Sequence, residues 1–88
     1  MTWTIEWDDR SRHELRRLDR QIQLGILKYF SERIATDEDP RRFGKGLRHE
    51  LQGLWSYRIG DYRAICHIED DRLVVLVLGV GHRRQVYQ

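Results

Sequence analysis

Two alternating runs meet at Gly60-Asp61, and that junction limits what the chain can fold into more than any other stretch of it. Trp55-Ser56-Tyr57-Arg58-Ile59 and Tyr62-Arg63-Ala64-Ile65-Cys66-His67-Ile68 each carry the two-residue period of a strand. The two residues between them suit a hairpin whose turn has glycine in its first position, the type II′ form. A two-residue loop fixes the register. Trp55, Tyr57 and Ile59 then share a face with Tyr62, Ala64, Cys66 and Ile68, the face expected to pack on helices, and Cys66 becomes a small core residue. Ser56, Arg58, Arg63, Ile65 and His67 fall on the other face, with Arg58 directly across from Arg63. Like charges paired across two strands destabilise a hairpin. The face is therefore expected to meet an anion, and a phosphodiester is the candidate.

The remaining segments build outward from this hairpin. Glu69-Asp70-Asp71 forms a second turn, and Leu73 to Leu78 is apolar on both faces, as a central strand is. At the start of the chain Trp3, Ile5 and Trp7 alternate with Thr2, Thr4 and Glu6, predicting a half-buried strand beside that central one. Asp8 and Asp9 are candidate N-caps, with Glu14 favouring the helix start. Leu15, Leu18, Ile22, Ile26, Phe30 and Ile34 then recur every three or four residues, an amphipathic stripe. Asp19 breaks the stripe and caps a second helix, giving a hairpin of residues 9–18 and 20–36. Gly25 lies inside it and is expected to mark close packing of the two helices. Pro40 ends the helical region, and a loop of residues 41–53, rich in glycine and basic side chains, leads back to the sheet.

The expected fold is α+β: an N-terminal strand, a helical hairpin, then a three-stranded antiparallel meander, forming a four-stranded sheet with helices on one face. With 88 residues one domain, 1–88, is the count. A domain of this size buries only about 60–65% of its unfolded surface, enough for one sheet and one helical layer. No apolar leader follows Met1, the longest apolar run is too short for a bilayer, and the single cysteine forms no intrachain disulfide; a cytoplasmic protein with no membrane partner is expected.

Charge placement says more than net charge, which is +2. Of the 16 basic residues 14 are arginine, the side chain suited to bidentate phosphate contact. Residues 41–63 hold Arg41, Arg42, Lys45, Arg48, Arg58 and Arg63 against Glu50 and Asp61, and Arg83 and Arg84 follow in a tail without acids. Gly44-Lys45-Gly46 lacks the outer residues of a phosphate loop, and Gly79-Val80-Gly81 lacks the third glycine of a dinucleotide fingerprint. His49, His67 and His82 have no metal-ligand spacing. No metal and no small-molecule cofactor are expected.

Gly60-Asp61-Tyr62-Arg63, an acidic turn, an apolar strand and the ending Gly81-His82-Arg83-Arg84-Gln85-Val86-Tyr87 together resemble the RelE branch of the RelE/ParE toxin superfamily. The resemblance covers essentially the whole chain. It implies a type II toxin–antitoxin system toxin, a ribosome-dependent endoribonuclease that cuts mRNA in the A site and inhibits translation. A cognate, RelB-like antitoxin encoded beside it would neutralise it. Two alternatives stay open: a gyrase poison of the ParE type, which does not depend on such a tail, and an antitoxin-binding protein whose catalysis has decayed.

Metal-free RNA cleavage requires a base for the 2′-hydroxyl, cations for the crowded phosphorane and an acid for the departing 5′-oxygen. On the resemblance, Arg63 contacts the scissile phosphate and Arg83 is the second catalytic arginine. Tyr87 corresponds to the family's C-terminal tyrosine, a general base with its pKa lowered by nearby arginine or a stacking platform for a base. His82 stands where some relatives have lysine and is a candidate for the acid. Arg58, Lys45, Arg48 and Arg84 are the expected RNA-binding residues. The chain departs from some relatives in having Leu54 and Ser56 where lysines occur and Lys45 near a proposed acidic base; Glu50 aligns to no such role.

Overall fold

A computed structural model describes residues 1–84. Strand β1 (Thr4–Trp7) leads directly into helix α1 (Asp9–Arg16) and then α2 (Arg20–Tyr29), which continues as one wide turn, Phe30–Ile34. Asp8 caps α1: its Oδ1 accepts from Ser11 N at 2.8 Å, a bond worth roughly 1 kcal/mol. The wide turn follows from the apolar stripe. Ile26, Phe30 and Ile34 are all buried, but a strict four-residue repeat drifts around an α-helix. The bond from Ala35 N to Phe30 O, 2.8 Å, closes a looser turn that opposes the drift and returns Ile34 to the core. Gly25 does not serve packing between the helices, as its presence in the stripe suggested. It is exposed, with nothing beyond its own stretch of helix backbone within 4 Å of where a Cβ would stand among the described residues, because the helices meet the core through Leu15, Leu18 and Ile22.

Among the described residues the sheet has five strands, one more than the sequence pattern gives. The order is β1-β5-β4-β3-β2, with β2 (Lys45–Gly46), β3 (Trp55–Ile59), β4 (Tyr62–Glu69) and β5 (Val74–His82). β1 lies parallel to β5, while all other pairs are antiparallel. The additional strand comes from the glycine-rich loop. A Cβ at Gly44 would stand 3.2 Å from the Tyr57 ring and 3.3 Å from that of Trp55, tighter than an ordinary contact, so glycine lets the chain lie close to both rings without displacing them. Tyr57, fully buried, also ties the loop down by donating from its hydroxyl to Pro40 O at 2.7 Å. Its ring meets Phe30 edge to face at 5.8 Å. Burial raises the pKa of this hydroxyl, so it remains a donor.

The helices cover the face that the alternation assigned to them: Tyr57, Ala64, Cys66 and Ile68 join Ile26, Phe30, Val75 and Val77 in one core. One irregularity interrupts β5. Cys66 pairs with Val77 but Ile65 pairs with Gly79, leaving Leu78 as an extra residue, a β-bulge. Val75 and Val77 are buried two apart, and the next buried residue is Val80, three further on.

Candidate functional site

The hairpin takes the register that its sequence predicts. Arg58 pairs with Arg63 and Ile59 with Tyr62, and Gly60 has φ +62 as the first turn residue. Strand alternation then directs Arg58 and Arg63 away from the helical layer. Arg58 is exposed and Arg63 half-buried. Two further connections bring basic side chains to this face. Lys45 pairs with Ser56, two residues from Arg58 along the same face. On the other flank Arg63 pairs with Gly81. The ladder runs one step past the end of β5, since Arg83 N donates to Asp61 O at 2.9 Å. Arg83 therefore stands two residues beyond Gly81, on the arginine side of the sheet.

Arg48 and Arg84 are exposed at the borders of this region. Arg48 precedes a short 3-10 turn, His49–Leu51, in which His49 has φ +58. Glu50 is exposed on the same turn. Arg41 and Arg42 are engaged elsewhere. Arg41 reaches Asp70 through Nη2 at 2.6 Å and Asp39 through Nη1 at 3.3 Å, with its guanidinium 5.7 Å from the Trp55 ring centroid. The Arg41 hydrogen bond holds the Asp70 carboxyl below its usual pKa. Arg42 meets Glu38 at 2.7 Å. Among the described residues, neither Lys45 nor Arg48 forms an ion pair.

His82 is separated from the arginines. It pairs with Tyr62 and so belongs to the helix side of the strand, where its ring meets that of Tyr62 edge to face at 5.6 Å. Its Nδ1 accepts from Arg84 N at 3.3 Å, which leaves Nε2 to carry the proton of the neutral ring. Tyr87 lies outside the described residues. The far end of the arginine face has the opposite character: Arg72 bridges Glu69 at 2.7 Å and Glu6 at 3.1 Å. An open cleft of about 440 Å³ beside His67, Glu69, Asp70, Asp71 and Arg72 belongs to that end. The basic groups are thus confined to the β3–β4 turn end and the β2 flank. Among the described residues no three His, Cys, Asp or Glu side chains are placed to hold a metal ion, and no helix is long and apolar enough to cross a membrane.

One residue of consequence here is not evident from the pattern. Glu14, on α1, accepts from Val80 N at 3.0 Å through Oε1, so a helix side chain reaches the strand that delivers Arg83. Gly79, inside an otherwise continuous strand pattern, is the signal that could have drawn attention to a bulge there.

Comparison with known proteins bears on the family and the fold. Residues 5–87 match the family model described as ParE toxin of type II toxin-antitoxin system, parDE. The chain is 32% identical over 88 residues to Toxin RelG of Mycobacterium tuberculosis, covering 100% of this chain and 99% of that protein. Toxin RelE of the same organism is 32% identical over 75 residues, covering 85% of this chain and 75% of the relative. Among solved structures, the toxin–antitoxin complex RelBE2 of M. tuberculosis superposes with a TM-score of 0.86 at 31% identity, over 94% of this chain and 93% of that one. The archaeal RelE–RelB complex of Pyrococcus horikoshii shares the fold, with a TM-score of 0.71 at 22% identity over 98% and 100% of the two chains.

Proposed function

The chain belongs to the RelE/ParE family of type II toxins, and from that premise we propose that it is a metal-independent, ribosome-dependent endoribonuclease that cuts mRNA in the A site. The observation that supports this reading is the convergence of Arg58, Arg63 and Arg83 on one sheet face, fixed by backbone pairing on both sides of β4. Planar guanidinium forks suit the non-bridging oxygens of a phosphodiester, and they stabilise the charge that grows on those oxygens in a phosphorane.

In the proposed reaction a base removes the 2′-hydroxyl proton and O2′ attacks the adjacent phosphorus. The P–O5′ bond breaks, and an acid delivers a proton to O5′. The products are a 2′,3′-cyclic phosphate and a 5′-hydroxyl. Arg63 and Arg83 hold the scissile phosphate, and Arg58 steadies it or its neighbour. Lys45, Arg48 and Arg84 contact the flanking backbone. Tyr87 is assigned to proton transfer; His82, the last residue of β5, pairs with Tyr62 on the helix side of the strand and is therefore not assigned to the phosphate, contrary to the expectation from the resemblance. A cognate RelB-like antitoxin silences the toxin by covering the arginine face or displacing the C-terminal segment. Solved complexes of related toxins with antitoxins support such a partner.

Inducing the chain in cells and mapping mRNA 5′ ends tests the reading. Cuts phased with codons in translated messages, lost in Arg63→Ala, are expected. The second reading is gyrase poisoning, the alternative that the resemblance implies for the ParE branch, whose name the matching family model carries. Intact mRNA together with an SOS response and stalled gyrase would establish that one instead.

A further inference from the structure

We propose that Glu14 is a positioning residue: by accepting from Val80 N it holds the β5 bulge, and the bulge decides which side of the sheet Arg83 occupies. The functional part of this inference rests on the reading of Arg83 given above; the register part does not.

The strand's geometry carries the argument. β1 pairs with β5 only as far as Val77. Beyond that point α1 takes over the outer edge of β5. Val77 O accepts from Asp8 N at 3.2 Å and from the buried Ser11 Oγ at 2.7 Å. Two residues after the extra Leu78, Val80 N meets the Glu14 carboxylate at 3.0 Å. The helix thus grips β5 on either side of the bulge. Val80 is 4% exposed and the Glu14 side chain that covers its N–H is 31% exposed, so removing that acceptor leaves the N–H unpaired and opens it to water.

Consider β5 without the bulge. Cys66 would still face Val77, but Ile65 would then face Leu78, Ala64 would face Gly79 and Arg63 would face Val80. Asp61 would pair with His82 in place of Arg83. A one-residue slip exchanges the two faces of everything beyond it. Val80 would leave the core for the arginine face, and Arg83 would leave the arginine face. Two hydrophobic positions two apart, Val75 and Val77, pin the first half of β5 in either register. What selects the bulged alternative for the second half is Val80 in the core and the acceptor that Glu14 supplies to its backbone. Arg10 Nε, 3.4 Å from Glu14 Oε2, steadies the other carboxylate oxygen from the exposed side.

The test uses the full chain, isotopically labelled, and four forms of it: wild type, Glu14→Ala, Glu14→Gln and Glu14→Asp. Glutamine keeps an oxygen acceptor at the same reach. Aspartate keeps the charge but withdraws it by one methylene, and it substitutes for the alanine form should that fail to fold. Amide exchange at Val80 is expected to accelerate by roughly tenfold or more in Glu14→Ala and Glu14→Asp but not in Glu14→Gln. The cross-strand proton contacts between Arg63 and Gly81 weaken in the same two variants. RNA scission falls in step with those contacts and is retained by glutamine. Unchanged Val80 exchange and intact Arg63–Gly81 contacts in Glu14→Ala would overturn the proposal and leave the reading of Arg83 untouched. Loss of those contacts with undiminished scission would uphold the register role and overturn the assignment of Arg83 to the reaction.

Discussion

Tyr57→Phe tests how the loop bearing Lys45 is held. The hydroxyl is buried and donates to Pro40 O at 2.7 Å. Phenylalanine keeps the ring, its edge contacts with Phe30 at 5.8 Å and Tyr29 at 6.3 Å, and the surface against which Gly44 lies. The change therefore isolates one hydrogen bond. Because Pro40 O is left without its partner, the cost lies toward the desolvation end of the range, about 1–3 kcal/mol. For a chain of 88 residues each kcal/mol moves the thermal midpoint by roughly 4–8 °C, so a drop of about 5–20 °C is expected. Urea unfolding should show the same loss at an unchanged m-value. Amide exchange should localise it, accelerating at Lys45, Gly46 and Leu47 more than in β4. Stability within a few tenths of a kcal/mol of wild type, or acceleration centred on β4, would refute the view that Tyr57 anchors this loop.

Further outcomes follow for Asp70, Cys66 and Lys45. The Asp70 carboxyl is held low by Arg41, so the pair contributes stability above the carboxyl's unfolded value of about 4 and loses it as pH falls through the lower folded value; Asp70→Asn should flatten that acid limb in a series of urea titrations. Burial pushes the Cys66 thiol pKa up, so a thiol reagent at pH 8 should leave the native protein unmodified and label it in urea. Since the unfolded thiol ionises near pH 8.5 while the folded one does not, stability should also decline as pH rises above that value. Lys45→Ala should reduce the slope of log K against log salt for single-stranded RNA binding by about 0.7, with little change in melting temperature.

The parts of the fold that the sequence discloses are those decided by local pattern. Gly60-Asp61 permits one tight turn, so the Arg58–Arg63 register and the assignment of Tyr57 and Cys66 to the core follow from residues adjacent in the chain. The helical hairpin is legible for the same reason, its stripe recurring every three or four residues. The fifth strand is not. Lys45-Gly46 has no alternation to display, and it becomes a strand because Gly44 can lie against the Tyr57 and Trp55 rings. That is a long-range fit of shape. Gly25 misleads in the opposite direction: a glycine in an amphipathic stripe suggests a crossing helix, yet it faces solvent here.

The site divides along the same line. Arg58 and Arg63 are placed by their own hairpin, whereas the position of Arg83 depends on a count of residues in β5 that composition cannot reveal. Leu73 to Leu78 is apolar at every position, so both faces of the strand are chemically acceptable and alternation cannot choose between them. The choice is made by the burial of Val80 and by a group more than sixty residues earlier in the chain, Glu14, whose Oε1 accepts from Val80 N. A strand with a strict polar–apolar alternation would specify its own register and tolerate loss of that contact. This strand does not, and its dependence on α1 is why a substitution on the helix can alter the placement of an arginine that the helix does not contain.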